Sequence, residues 1–254
     1  MAVGVTGGNN KNHTLAKLCR PECREVVRRP RLFGLLDEAF KRPVIWIKGL
    51  PGAGKSSLIN SYIDDRGLQC VWYHIDGRDT DAAEFFYHLE LAVRNALPLQ
   101  TLKLPTFAPQ FTTNVESFSR RYFEELFSKL KPPGVIVFDN YQDVAPDSVL
   151  HNAIMSAIAS VPQRVNLVFL SREAPPPSFA RAQAERKISF IGSEALHFTE
   201  AEITEFLLSY GSDRATAEDA RILHEKSRGW VAGLVLLMEC ARDSVLPAGS
   251  IPCF

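Results

Sequence analysis

The sequence predicts an α/β protein: a parallel five-stranded sheet flanked by helices, followed by a small helical unit. Three observations carry this reading. Five short β-rich runs, opening at Val44, Gln69, Gly134, Arg164 and Lys187, are separated by stretches with helical spacing. The first run, Val44-Ile45-Trp46-Ile47, leads at once into Gly49-Leu50-Pro51-Gly52-Ala53-Gly54-Lys55-Ser56, the G-x-x-x-x-G-K-S pattern of a phosphate-binding P-loop. The third run, Gly134-Val135-Ile136-Val137-Phe138, ends in Asp139, where a P-loop protein places the acid of its Mg²⁺ shell.

The P-loop pattern has a physical reason at each position. The backbone must wrap a phosphate with its N–H groups inward, and Gly49, Gly52 and Gly54 allow the close approach. The helix that follows begins near Gly54, so its unpaired N–H groups and positive dipole end face the anion. Lys55 can reach the β- and γ-phosphates, and the Ser56 hydroxyl can ligate Mg²⁺. Ser57 is a further hydroxyl that reads more simply as helix filler. The whole run, Gly49, Leu50, Pro51, Gly52, Ala53, Gly54, Lys55, Ser56 and Ser57, is the expected cradle for ATP or ADP.

Taken in order, residues 1–14 are polar and Gly/Asn-rich and read as disordered. The segment 15–31 is basic and ends in Arg28-Arg29-Pro30-Arg31, either a solvated entry or a lead that passes over the nucleotide base. Leu32 to Phe40 has helical spacing. Gln69 to Ile75 is a strand, closed by Asp76, Asp79 and Asp81 at the end where open α/β sheets place ligands. Thr80 or Asp81 can cap the helix Ala82 to Ala96, so the acidic cluster divides between capping and catalysis, with Asp76 or Asp79 as a water-orienting group. A Pro- and Thr-containing loop runs from Pro98 to Asn114. Val115 to Leu130 is a helix whose Phe118, Tyr122, Phe123 and Phe127 form a core-facing stripe.

Asp139 is expected to hold Mg²⁺ through water. Asn140 follows it, where many hydrolysing proteins have a carboxylate. An amide can orient a water but cannot take its proton, which argues against fast hydrolysis. Asp147 to Ser160 reads as a helix, Arg164 to Leu170 as a buried strand ending in Ser171-Arg172. Arg172 could report on a γ-phosphate or simply cap the sheet edge. Pro175-Pro176-Pro177 breaks the chain. A short helix over Phe179 to Glu185 and a last strand over Lys187 to Ile191 follow. Three helices close the chain: Thr199 to Tyr210 with Thr199 as cap, Thr216 to Arg228, and Val231 to Arg242. The organisation expected is a nucleotide-binding α/β domain over 15–192, a helical lid over 193–242 and an unstructured tail over 243–254, which has the look of a truncated end.

The totals narrow the function. The chain has 254 residues with 29 basic and 29 acidic side chains, so no net field draws it to nucleic acid or an anionic membrane. Five cysteines are too few and scattered for a disulfide framework and fit a reducing compartment; Cys19-x3-Cys23 has no second pair for zinc. The apolar run from Val231 to Met238 falls short of the about 20 residues of a membrane span, and the N-terminus has no signal-peptide core. A cytoplasmic protein is expected.

With these residues in place, the chain resembles the signal-transduction ATPases with numerous domains (STAND), an AAA+-like group, and within it the nucleotide-binding module of the maltose-regulon activator (MalT-like) type. The resemblance rests on Val26-Val27-Arg28-Arg29-Pro30-Arg31-Leu32, the P-loop, Val71-Trp72-Tyr73-His74-Ile75-Asp76 with Asp79 and Asp81, Asp139-Asn140-Tyr141-Gln142, Leu170-Ser171-Arg172, Leu196-His197-Phe198-Thr199 with Glu202 and Phe206, and Gly229-Trp230-Val231-Ala232-Gly233-Leu234. It implies an ADP-bound resting state, an ATP-bound active state that self-associates, Arg28, Arg29 and Arg31 along the adenine, and Arg172 at the γ-phosphate. It also implies that the Asp139 strand lies between the second strand and the Ser171-Arg172 strand. Such regulators carry sensor and DNA-binding effector domains farther along, and no direct nucleic-acid contact is expected of this module. Two other classes compete. A small-molecule kinase would need a lid rich in arginine; Arg214, Arg221 and Arg228 are better read as a solvated stripe. A nucleic-acid motor is disfavoured by the neutral charge.

Overall fold

A computed structural model describes residues 16–21, 27–77, 79, 81–97, 103–209 and 215–243. The expected disordered start over 1–14, the tail beyond Asp243, Cys23, the alternative cap Thr80 and Arg214 lie outside these residues.

Helix α1 (Pro30–Ala39) opens on a proline, whose fixed φ and missing N–H suit the first turn, and it buries Leu32, Phe33, Leu36 and Ala39 along one side. Strand β1 (Val44–Lys48) enters the P-loop, and α2 (Lys55–Arg66) leaves it between two left-handed glycines, Gly54 and Gly67. Strand β2 (Gln69–His74) precedes α3 (Ala82–Ala96), which Asp81 caps by accepting from the Ala83 N–H. Asn114 does the same for α4 (Val115–Lys129) by accepting from Ser117. Strand β3 (Gly134–Asp139) is followed by α5 (Leu150–Ser160), β4 (Val165–Ser171), α6 (Ala180–Ala184) and β5 (Ile188–Ile191). Helix α5 starts three residues later than its sequence suggests. Residues Asp147–Val149 form a turn instead, in which the Ser148 N–H donates to the Ala145 carbonyl and its hydroxyl accepts from Leu150.

The five strands are all parallel in the order β2-β3-β4-β1-β5. The chain therefore has a P-loop NTPase α/β fold, with β3 between β2 and β4 as the family resemblance implies. Alternation along the strands splits the core in two. Trp46, Tyr73, Phe138 and Phe169 face α3, α4, α5 and α6. Ile45, Ile47, Trp72, Val137 and Leu170 face α1 and α2. The first face is a lattice of rings: Phe169 stacks on Trp46 and Phe138 and meets Tyr141 and Phe179 edge-on.

A short helix missed in the sequence, α7 (Ser193–Leu196), sets Leu196 into the second face. Then come α8 (Glu200–Ser209), α9 (Ala217–Ser227) and α10 (Val231–Asp243). They share a separate core of Phe198, Ile203, Phe206, Leu207, Ala220 and Leu234. Thr199 and Glu202 close a capping box over the start of α8, each bonding the other's backbone N–H, and Thr216 with Asp219 does the same for α9. Among the described residues no helix is long and apolar enough to cross a membrane.

Candidate functional site

The carboxyl ends of β1 and β3 bring the two sequence signatures together. Gly49 leaves β1 with its N–H donated to the Ser171 carbonyl at the end of β4, so the P-loop starts tied to the sheet. Gly52 and Gly54 take positive φ angles of 69° and 78°, conformations a side chain would strain. Lys55 is buried and folds back on the loop, its Nζ donating to the Gly49 carbonyl at 2.7 Å and the Leu50 carbonyl at 3.1 Å. Burial pulls its pKa below the ordinary lysine value; Asp139 opposes that shift and Arg172 adds to it. A buried ammonium held only by carbonyls is ready to transfer to an anion.

Ser56 and Asp139 meet directly: the Ser56 hydroxyl donates to Asp139 Oδ2 at 2.9 Å. These are the hard oxygen donors that Mg²⁺ takes while keeping several waters, so the residues present fit that ion. Ala53 is buried, Leu50, Pro51 and Gly52 are exposed, and Ser57 is half-buried on the first turn of α2. Arg172 stands exposed at the end of β4, its backbone N–H donated to Gln142 Oε1.

His74, which sequence reasoning passed over as part of a strand, also lies here. It pairs with Asp139 in the β2–β3 register. Its Nδ1 is 3.6 Å from Asp139 Oδ2, and its Nε2 is 2.8 Å from Asn140 Nδ2. The Asp139 carboxylate raises the imidazole pKa above its ordinary value against the pull of burial. The signal available was position: a histidine at the carboxyl end of a strand next to the Asp139 strand.

Other expected site residues are engaged elsewhere. Asp79 is buried and accepts from Lys17 Nζ at 2.9 Å, the Tyr73 hydroxyl at 2.7 Å and the Asp76 N–H at 2.9 Å. These bonds tie Lys17 and the Asp76 backbone to β2 through one buried carboxylate. Asp76 is partly exposed and lies 3.5 Å from Lys17 Nζ. The arginine lead is also redirected. Arg28 pairs with Asp65 on α2 at 2.7 Å. Arg29 is buried, donates to the carbonyls of Leu196 and His197 and to Glu202 Oε2 at 2.8–2.9 Å, and lies 4.0 Å from the centre of the Phe198 ring. Arg31 donates to the Ala195 and His197 carbonyls and to the same Glu202 oxygen. Arg29 and Arg31 thus fasten the α/β core to the start of α8.

A second polar seam joins the helical unit to the P-loop itself. Trp230 Nε1 donates to the Pro51 carbonyl at 3.0 Å, and the Ala232 N–H donates to the Gly52 carbonyl at 3.1 Å. The second of these satisfies one of the orphan N–H groups at the start of α10. Approach is close: a Cβ on Gly52 would lie 2.5 Å from that of Ala232, and one on Gly229 would lie 2.4 Å from the Phe198 carbonyl oxygen. This accounts physically for the Gly229-Trp230 pair.

No protein-family model matches the chain. Among curated proteins it is similar to the HTH-type transcriptional regulators MalT of Vibrio cholerae and Vibrio campbellii. It is 27% identical to the first over 225 residues and 26% identical to the second over 228. In both cases 87% of this chain matches, and it spans about a quarter (24%) of the relative's length. Among solved structures, a Walker-type ATPase of Pyrococcus abyssi superposes with a TM-score of 0.59 at 15% identity, over 86% of this chain and 68% of that one. The likeness to MalT regulators over most of the chain and the Walker-type fold agree with the resemblance carried by the motifs.

Proposed function

We propose that this chain is an ATP/ADP-binding switch module of a STAND-type transcriptional or signalling regulator. The observation that supports it best is the pairing of a complete P-loop and Ser56–Asp139 contact with a helical unit bonded to that same loop. Bound nucleotide and Mg²⁺ would supply the triphosphate and the charge that neutralises it. Lys55 would leave the Gly49 and Leu50 carbonyls for phosphate oxygens. Ser56 and Asp139 would hold the ion, Asp139 through water. Arg172, at the end of β4 and near enough to Lys55 to shift its pKa, would sense the γ-phosphate. The reading divides the chain into an α/β domain over 15–192 and a lid over 193–242, which would swing on the Arg29–Glu202–Arg31 and Trp230–Pro51 bonds. The ATP form would be active and self-associate in the cytoplasm, and slow hydrolysis would reset it. Sensor and DNA-binding parts would lie in other segments of a full-length regulator, so the module itself would make no nucleic-acid contact.

A kinase-type lid is not favoured, because Arg221 on α9 is tied to Glu218 and Glu225 rather than aimed at the P-loop. The test measures nucleotide carried through purification, binding of a fluorescent ATP analogue, and ATP-dependent assembly by light scattering. Wild type should retain ADP, turn over slowly and assemble with ATP. Lys55→Ala should lose binding at least tenfold, and Arg172→Ala should bind but not assemble. Fast turnover stimulated by a small acceptor or by DNA would replace the switch with a transferase or a motor.

A further inference from the structure

Gln142 follows Asp139-Asn140-Tyr141 at the carboxyl end of β3 and takes no part in the phosphate or Mg²⁺ contacts described above. Its half-buried carboxamide is held at both ends. Oε1 accepts from the Arg172 backbone N–H at 3.0 Å, and Nε2 donates to Asp143 Oδ1 at 3.2 Å. A backbone N–H only donates and a carboxylate only accepts, so the partners themselves fix which end of the amide is which. The base is firm: Tyr141 is buried against Trp46 and Phe169, and the turn closes through Asp143 N–H to Asn140 and Val144 N–H to Tyr141.

The peptide that Gln142 holds is the one joining Ser171 to Arg172. A trans peptide points its C=O and N–H to opposite sides. Here the C=O accepts at 3.0 Å from the N–H of Gly49, where the P-loop begins, and the N–H donates to Gln142. One peptide plane is thus clamped between the P-loop and the β3 turn. Beyond Arg172, the Glu173 N–H donates to the Ser171 hydroxyl and the Glu173 carbonyl accepts from Trp46 Nε1. Arg172 itself is exposed, and its guanidinium makes no hydrogen bond or ion pair among the described residues. Its direction out of the sheet is therefore set by backbone bonds. Its positive charge adds to the lowering of the Lys55 pKa, which sets it close to the P-loop lysine.

Resting on the nucleotide-switch reading, we propose that Gln142 is a positioning residue that aims Arg172 at the γ-phosphate and so sets the preference for ATP over ADP. ADP has no γ-phosphate, so a group that acts only through Arg172 changes ATP binding and leaves ADP binding alone. Without Oε1 the Ser171–Arg172 peptide keeps one of its two clamps, the Gly49 bond, and can rock about it. The guanidinium then spreads over several directions, and the anion must order it on binding.

The test uses the full chain, stripped of nucleotide, with Mg²⁺ present. Competition against a fluorescent nucleotide gives the Kd for ADP and for a non-hydrolysable ATP analogue. Gln142→Met keeps the length of the side chain and removes both polar ends. It should weaken the ATP analogue about fivefold or more, hold the Kd for ADP within about twofold, and speed exchange of the Arg172 amide. Arg172→Ala should show the same split, and adding Gln142→Met to it should change the ATP-analogue Kd by less than about twofold. A merely structural role would move both nucleotides together. Equal loss for ADP and the ATP analogue therefore overturns the proposal, as does unchanged binding of both, or a double variant whose two losses multiply. An Arg172→Ala chain with the wild-type preference overturns Arg172 as the γ-phosphate sensor, and the proposal with it. A wild type that binds no nucleotide overturns the underlying switch reading instead.

Discussion

The sheet core and the junction with the C-terminal helices hold together by opposite means. Around β1, β3 and β4 the contacts are mostly buried rings and branched aliphatics, with few side-chain polar atoms, among them Trp46 Nε1, which donates to the Glu173 carbonyl, and the Tyr141 hydroxyl, which meets His151. At the junction, the α/β core and the helices meet largely through directional bonds: Arg29 and Arg31 to Glu202 and three carbonyls, Trp230 to Pro51, Ala232 to Gly52. Burial of apolar surface contributes about 1.5–3 kcal/mol per large side chain and tolerates no partial state. Polar bonds have two workable partners, the protein and water, and net only about 1 kcal/mol each. The junction also leaves Arg29 Nε and Glu202 Oε1 buried without partners among the described residues. A half-satisfied network of this kind is easier to open than a core. The molecule thus places its rigidity behind the P-loop and its adjustability in front of it.

The strongest way to break that comparison is to damage the rigid side. Phe169 is fully buried and touches four other rings. Phe169→Ala should cost about 3–5 kcal/mol of global stability. Urea unfolding followed by sheet and helix signals together should shift as one transition. A loss under 1 kcal/mol would mean the ring lattice is not what stiffens the sheet.

Glu202→Ala attacks the junction at its most charged point. Both members of the Arg29–Glu202 pair are under a tenth exposed. Removing the carboxylate leaves a buried guanidinium with carbonyls and the Phe198 ring as its remaining partners, and should cost about 3 kcal/mol. The loss should appear locally: faster hydrogen exchange in α8 to α10, with β3 unchanged. Equal acceleration in both regions would show that the helices are part of the core. Burial tends to raise the Glu202 pKa, but donation from Arg29, the Thr199 N–H and Arg31 outweighs it and holds the value at about 2, below the ordinary 4.5. A depressed carboxylate stabilises the fold above its unfolded value and loses that contribution as pH falls. The junction should therefore be intact at pH 5 and loosen between about 4.5 and 2, and Glu202→Ala should lack that local transition.

How much of this could be read from the sequence follows from the range of each interaction. The P-loop, the Asp139 strand, the caps Asp81 and Thr199, and the alternating strands are written within a few neighbouring residues, and all fell where their patterns placed them. The arginine lead is set by distant partners. Arg29 meets Glu202 across 173 residues, and nothing local distinguishes an arginine bound for an adenine from one bound for a helix cap. Among Asp76, Asp79 and Asp81 the sequence offers three similar acids. Their fates depended on Lys17, 62 residues before Asp79, and on a tyrosine hydroxyl facing inward. His74 was hidden because a single histidine closing a β-rich run has no pattern of its own. It becomes visible once the register sets it beside Asp139.

The gentlest perturbation tests whether the P-loop and the helical unit are coupled. Trp230→Phe keeps an aromatic ring at this position, trims the part of the indole that packs at Gly52 and Gly233 and removes the N–H donated to Pro51. One neutral bond at a partly exposed site is worth about 1 kcal/mol or less, so global stability should hardly move. What should move is the coupling. If α10 restrains the P-loop through Pro51 and Gly52, the variant should exchange faster at Ala53 and Gly54 as well as at Val231 and Ala232, and should bind the ATP analogue two- to fivefold differently from wild type. Exchange that rises only on the α10 side, with unchanged nucleotide affinity, would show the helices resting on the loop without biasing it. The Arg29–Glu202–Arg31 cluster would then be the next link between the two regions to test.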